Sequence, residues 1–178
     1  CVLVAIQHIM EENPPDLVLS GINMGENLGE DVHYSGTIAA ALEATLQGVP
    51  SVALSQAING SVSWAAVELF AVDLIRSLFK ASWNEDTLIN INFPVHDISE
   101  VKGVKLARQG KHKVGDDLVL REDPRGRPYM WIGAPRIRDT QTEGTDLCVV
   151  ADGYISVTPL RVDLTDFEAL ESLSKVLK

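Results

Sequence analysis

Three short apolar runs, at residues 16–19, 51–55 and 88–92, alternate with two stretches of helical character, and this alternation limits the fold more than any other feature. The stretch at 38–47 is rich in alanine and stops at Gly48, a residue suited to the left-handed conformation that ends helices. The stretch at 63–81 carries Trp64, Val67, Leu69, Phe70, Leu74, Ile75, Leu78 and Phe79 at helical spacing. Parallel neighbours need crossover connections, so the order strand, helix, strand, helix, strand predicts an α/β fold with a largely parallel sheet flanked by helices. Asn13-Pro14-Pro15 breaks the chain before the first strand, and Phe93-Pro94 closes the third.

Beyond residue 100 the character changes. Residues 104–108 alternate as a half-buried strand, and Leu118-Val119-Leu120 and Tyr129-Met130-Trp131-Ile132 flank the turn-rich Asp123-Pro124-Arg125-Gly126-Arg127-Pro128. That pattern predicts a protruding β-hairpin arm. An isolated two-stranded ribbon is marginal in water, so the arm is expected to lean on another subunit. A strand at 154–159 follows, then a C-terminal helix opening at Asp163 and capped by Thr165. The expected organisation is an α/β core over 1–110, a hairpin arm for oligomerisation over 111–135, and a C-terminal strand and helix over 136–178 that return to the core or to a partner subunit. The apolar helical segment at 2–10 needs a sheet face to cover it, so a further part of the core is expected upstream of Cys1.

With 178 residues, 46% of them hydrophobic, the chain can bury a sizeable core. A formal net charge of -10 argues against long nucleic acid as a partner and leaves room for a small anion held locally. No run approaches the roughly twenty apolar residues that span a bilayer, and no leader is visible. Cys1 and Cys148 show neither metal-ligand nor redox spacing, so a cytoplasmic protein with no membrane partner is expected. His8, His33, His96 and His112 show no zinc spacing; His33 alone sits in a loop with a functional address. Asp116-Asp117 reads as a solvated turn of the arm. Lys111, Lys113, Arg121, Arg125 and Arg127 make that arm basic, which fits a subunit contact or a solvated face.

Chemistry concentrates between the first strand and the first long helix, in Ser20-Gly21-Ile22-Asn23-Met24-Gly25-Glu26-Asn27-Leu28-Gly29-Glu30-Asp31-Val32-His33-Tyr34-Ser35-Gly36-Thr37. Loops beyond the carboxyl ends of strands in open α/β sheets are where ligands bind. The glycines fit neither the P-loop nor the dinucleotide fingerprint; what they offer is a backbone that a ligand can approach closely, or a long surface turn. Ser35-Gly36-Thr37 stands at a helix start, where unpaired amides and the positive end of the dipole favour an anion such as phosphate. Ser35 is also an ordinary N-cap residue, and the two uses are compatible. Asn23, just past the strand, has a side-chain oxygen of the kind that suits Mg²⁺, Mn²⁺ or Ca²⁺, or that stabilises a turn. Asn27 and Asp31 follow on the same loop surface.

These residues carry a specific resemblance. Ser20-Gly21-Ile22-Asn23-x-Gly25-x-Asn27-x-Gly29, followed by Asp31-Val32-x-Tyr34-Ser35-Gly36-Thr37-x-Ala39-Ala40, resembles the SurE family of survival-protein nucleotidases. Leu88-Ile89-Asn90-Ile91-Asn92-Phe93-Pro94, Asp123-Pro124-Arg125-Gly126, Trp131-Ile132-Gly133, Gly144-Thr145-Asp146 and the run Asp152-Gly153-Tyr154-Ile155-Ser156-Val157-Thr158-Pro159-Leu160 continue it in order. The resemblance implies a Rossmann-like α/β fold and a phosphohydrolase acting on nucleoside 5′- and 3′-monophosphates, with some action on short polyphosphate. It implies one divalent ion per subunit, Mg²⁺ or Mn²⁺, with Asn23 as a metal ligand and catalytic residue. Asn27, Ser35, Gly36 and Thr37 would bind phosphate, supported by Gly21, Gly25 and Asp31, in a homodimer or homotetramer. The family's adjacent aspartates and its metal-binding serine have no counterpart here, so the 178-residue chain by itself is expected to hydrolyse nucleotides poorly. The competing expectation is a non-catalytic module that binds a phosphorylated ligand or serves oligomerisation.

Overall fold

The computed structural model describes residues 1–178 except 82, 96, 114–117, 133–136, 139 and 178. His96, Asp116-Asp117 and Gly133 therefore lie outside the described residues. The chain opens with α1 (Val2–Val4), which continues as a π turn over Ala5–Ile9 and buries no side chain. There follow β1 (Val18–Met24), a 3-10 turn over Gly29–His33, α2 (Gly36–Leu46), β2 (Ser51–Gln56), α3 (Ala65–Ala81) and β3 (Thr87–Phe93). After these come β4 (Val104–Leu106), β5 (His112–Lys113), β6 (Leu118–Glu122), β7 (Pro128–Ile132) and β8 (Ile137–Arg138). The chain closes with α4 (Asp146–Ala151), β9 (Ile155–Arg161) and α5 (Phe167–Ser174).

Five strands form the main sheet in the order β1-β2-β3-β9-β4. β1, β2 and β3 are parallel, β9 runs antiparallel to β3, and β4 is parallel to β9. The sheet is thus mixed but mostly parallel, as the strand and helix alternation requires. α3 lies over one face, where Ala66, Val67 and Ala71 pack with Val52, Leu54, Ile89, Ile91, Phe93, Ile155 and Val157. α2 lies over the other, where Ile38 and Ala41 meet Val32, Ala53 and Leu88. Successive crossovers step in one direction along the sheet yet cover opposite faces, so the two have opposite hands; the common right-handed rule holds for one of them.

The α2 face changes character along its length. Ala53, Leu88 and Leu160 are apolar, but further along the same face Ser55, Asn90, Asn92, Ser156 and Thr158 are all buried. Register aligns Ser55 with Asn92, Asn92 with Ser156 and Asn90 with Thr158, so the polar groups form one continuous floor.

Three expectations need correction. The first strand runs past residue 19 to Met24, and within residues 1–178 it stands at the end of the sheet order with Leu19, Ile22 and Met24 exposed. Its pairing with β2 shifts between Ser20 and Asn23. Gly21 and Ile22 there stand opposite Leu54 alone, a bulge that turns Asn23 onto the same side as Ser55. Gly21 has φ 131 and an added Cβ would collide with the Leu54 carbonyl oxygen, so the bulge requires glycine. Second, α5 is capped by Asp166, whose carboxylate accepts the Ala169 N–H at 2.9 Å, and not by Thr165. Third, the arm strands are longer than the apolar runs that flag them, pairing Leu118 with Ile132 through to Glu122 with Pro128. Asp123 shapes their turn by accepting the N–H groups of Arg125 and Arg127 at 2.8 and 2.9 Å.

Candidate phosphoryl-binding site

The β1 to α2 loop leaves the carboxyl end of β1 and is fastened at each step. Gly25 donates its N–H to the Gln56 carbonyl at 2.9 Å, and Asn23 Nδ2 donates to the Gly25 carbonyl at 2.9 Å. Asn23 therefore does stabilise the turn, and its remaining acceptor is Oδ1. Asn27 is buried over the polar floor, where its N–H donates to Asn92 Oδ1 at 2.8 Å and its Nδ2 to Ser55 Oγ at 2.8 Å. Its carbonyl accepts from Asn90 Nδ2 at 2.9 Å and Asn92 Nδ2 at 3.2 Å. The resemblance implies that Asn27 binds phosphate; in the structure its N–H and its Nδ2 are taken by Asn92 and Ser55, and Asn27 is a peg that anchors the loop.

The sequence carries a signal for Asn90 and Asn92 beyond their place in the run from Leu88 to Pro94. Within β3 the odd positions Ile89, Ile91 and Phe93 face the α3 core, and the asparagines take the alternate positions of a strand buried throughout. Buried amides must find partners, so such alternation marks a polar network across one face.

Two further groups grip Gly29. Asp146, fully buried, accepts the Gly29 N–H on Oδ2 at 2.9 Å, and the Gly110 and Leu147 N–H groups on Oδ1 at 2.8 and 2.9 Å. Gln109 Nε2 donates to the Gly29 carbonyl at 2.9 Å. Burial pushes the Asp146 carboxyl above the ordinary carboxylate range, against the opposing pull of the Gly29, Gly110 and Leu147 N–H groups. Asp31 lies in the 3-10 turn, half-buried, with its carbonyl accepting the Tyr34 N–H at 3.0 Å.

The turn delivers the chain to α2. Ser35 is the N-cap, its Oγ accepting the Ile38 N–H at 3.1 Å. Gly36 is the first helical residue and has neither a positive φ nor a neighbour within 4 Å of a built Cβ. The fold makes no demand for glycine there, and a glycine in a helix is disfavoured against alanine. An open approach to the first amides of α2 is what it provides.

Ser35 also borders a cavity of about 440 Å³ that runs along Ile38 and Leu42 to Leu88 and Leu160, with His33, Gln109 and Arg161 at its polar parts. Asn23, Asn27, Asp31, Gly36 and Thr37 do not line that cavity. No group of three or more His, Cys, Asp or Glu side chains that could hold a metal converges among the described residues. Burial, then Asp152 and Glu143, push the Cys148 thiol up, which disfavours its thiolate.

Comparison with known proteins places the chain in a family. The family model described as "Survival protein SurE" matches residues 1–116. The chain belongs to the SurE family. This SurE chain is 51% identical over 179 residues to a Rhodospirillum rubrum protein named 5'-nucleotidase SurE, a match covering 98% of the chain and 68% of the relative. A protein of the same name from Paramagnetospirillum magneticum is 51% identical over 176 residues, covering 96% of the chain and 68% of the relative. The crystal structure of the SurE protein from Aquifex aeolicus superposes with a TM-score of 0.83 at 39% identity, covering 100% of this chain and 72% of that one. Among the described residues no helix of the SurE chain is long and apolar enough to cross a membrane.

Proposed function

We propose that this SurE protein hydrolyses the phosphate monoester of nucleoside 5′- and 3′-monophosphates, with short polyphosphate as a further substrate, where the β1 to α2 loop meets the start of α2. The observation that carries this is Gly36, a helix-opening glycine with no steric or conformational reason in the fold, set between two hydroxyl residues. Amides of Gly36 and Thr37 and the hydroxyls of Ser35 and Thr37 suit the phosphoryl oxygens. The positive end of the α2 dipole favours the charge that spreads over those oxygens in the transition state. Asn27 and Gly29 hold the loop in place, so little reorganisation is needed as charge develops.

A divalent ion, Mg²⁺ or Mn²⁺, would supply charge neutralisation and a more acidic water. The described residues do not by themselves fit such an ion. Asn23 contributes one neutral oxygen and no carboxylate cluster stands beside it, whereas hard cations of this kind are normally bound through one or two carboxylates. Low rates are therefore expected of residues 1–178 by themselves. The same observation supports a second reading, a module that binds a phosphorylated ligand without cleaving it.

Phosphate release from 5′-AMP and 3′-AMP with and without Mn²⁺, beside calorimetric titration with inorganic phosphate, separates the two. Metal-stimulated release supports hydrolysis, and phosphate binding without release supports the binding module. Absence of both overturns the site. We further propose that the molecule is a homodimer or homotetramer, because α5 buries none of its residues while exposing Phe167, Leu170 and Leu173. The arm likewise exposes Leu118, Leu120, Met130, Trp131 and Ile132.

A further inference from the structure

Gly29 is held from two directions by residues far away in the chain. Its N–H goes to Asp146 and its carbonyl receives the Gln109 amide, both at 2.9 Å. The two grips form one unit, because Asp146 donates its own N–H to the Arg108 carbonyl at 2.9 Å and Arg108 donates to the Gly144 carbonyl at 3.0 Å. Asp146 Oδ1 then takes the Gly110 N–H at 2.8 Å. At Gly110 a Cβ would lie 2.9 Å from that oxygen and 2.9 Å from Leu147 Cδ1, so close approach of the two segments depends on the missing side chain.

The chemistry of the clamp is specific. Three backbone N–H groups converge on two oxygens, and a carboxylate can accept all of them. An asparagine has one carbonyl oxygen for the same three donors and turns an NH₂ toward at least one of them. A fully buried carboxylate is costly to the fold, and groups kept at such cost cluster where a site is being shaped. What this one shapes is Gly29, whose φ of 53 turns the chain into the 3-10 turn that leads to Ser35, Gly36 and Thr37.

We infer that Asp146 and Gln109 are a pair of positioning residues that fix Gly29 and thereby aim the phosphoryl-binding corner at the start of α2. The inference rests on the functional reading above for what the corner binds. Gly110 lies directly before Lys111, where the arm begins, so the clamp also joins the root of the arm to the site loop. Each acts through the backbone of Gly29.

Two variants of the full chain test it, Asp146→Asn and Gln109→Ala, read by amide hydrogen exchange over residues 25–37, by inorganic phosphate affinity and by thermal midpoint. Gln109 is only half-buried and carries no charge, so its variant is expected to fold normally with a nearly unchanged midpoint. It should exchange faster at Gly29 and through the 3-10 turn while α3 stays protected, and it should bind phosphate about 3- to 10-fold more weakly. Asp146→Asn should weaken phosphate about 10-fold or more. Because both act on one residue, the double variant should lose less than the product of the two single losses.

Unchanged exchange at Gly29 in both variants would overturn the clamp. Faster exchange with unchanged phosphate affinity would overturn its role in positioning, as would losses that simply multiply. If Asp146→Asn does not fold, Gln109→Ala decides alone. A parent protein that binds no phosphate sinks the functional reading instead, and the exchange measurement still judges the clamp.

Discussion

At Gly21 an added Cβ would collide with the Leu54 carbonyl oxygen, whereas at Gly36 it meets nothing within 4 Å. The two glycines look alike in the sequence and answer to different constraints. Gly21→Ala forces a Cβ onto a strained backbone with φ 131 and is expected to cost more than about 2 kcal/mol of stability. Gly36→Ala should leave stability unchanged or raise it by up to about 1 kcal/mol while weakening phosphate binding. Urea unfolding and phosphate titration of the two variants check both, and equal phosphate binding by Gly36→Ala would remove that residue from the site. Asp146 gives a pH test. Burial raises its carboxyl in the folded state, so the folded protein holds the proton more tightly than the unfolded chain. By linkage the ionised carboxylate costs stability above the folded pKa, and that cost disappears as pH falls through it toward the ordinary unfolded value. The stability of the parent relative to Asp146→Asn should therefore rise on acidification, as urea midpoints between neutral pH and pH 4 would show; a constant difference would contradict it.

Strand β3 anchors the loop of the proposed site. Asn92 accepts the Asn27 N–H and, with Asn90, supplies the donors to the Asn27 carbonyl. Asn92→Leu keeps the branched shape, adds the bulk of two methyl groups and leaves the Asn27 N–H buried without an acceptor, which is expected to cost at least about 1–3 kcal/mol and to loosen the loop. Thermal unfolding measures the first effect and amide exchange at Asn27 the second. The helices α2 and α3, the three parallel strands and the hairpin were all legible, because each depends on local periodicity and turn chemistry. The cap of α5 was misplaced by one residue, since Thr165 and Asp166 are both cap formers and only the backbone shows which of them accepts the Ala169 N–H. The first strand was cut short at residue 19 because glycine and asparagine read as loop; a bulge lets both remain in the strand.

For the whole molecule, the exposed apolar stripe of α5 and the arm motivate the proposed oligomer. Light scattering of the parent is expected to give a dimer or tetramer, and Leu170→Lys with Leu173→Lys should shift it toward smaller species; a parent that stays monomeric across micromolar concentrations would refute the oligomer. From its sequence alone the chain was determined to be α/β, to alternate strand with helix, and to place its polar, glycine-rich loop between the first strand and the helix that opens at Ser35-Gly36-Thr37. Those features follow from spacing between near neighbours, where hydrophobic period and backbone sterics act directly. Only the tertiary structure decided that β9 enters the sheet antiparallel between β3 and β4, that the two crossovers have opposite hands, and that Asn27 faces inward. Nothing local links Asp146 to Gly29 across a separation of 117 residues. Such pairings are set by how the whole chain buries its apolar faces and satisfies the polar groups this traps, and a carboxylate finds its three N–H donors only once those faces have closed.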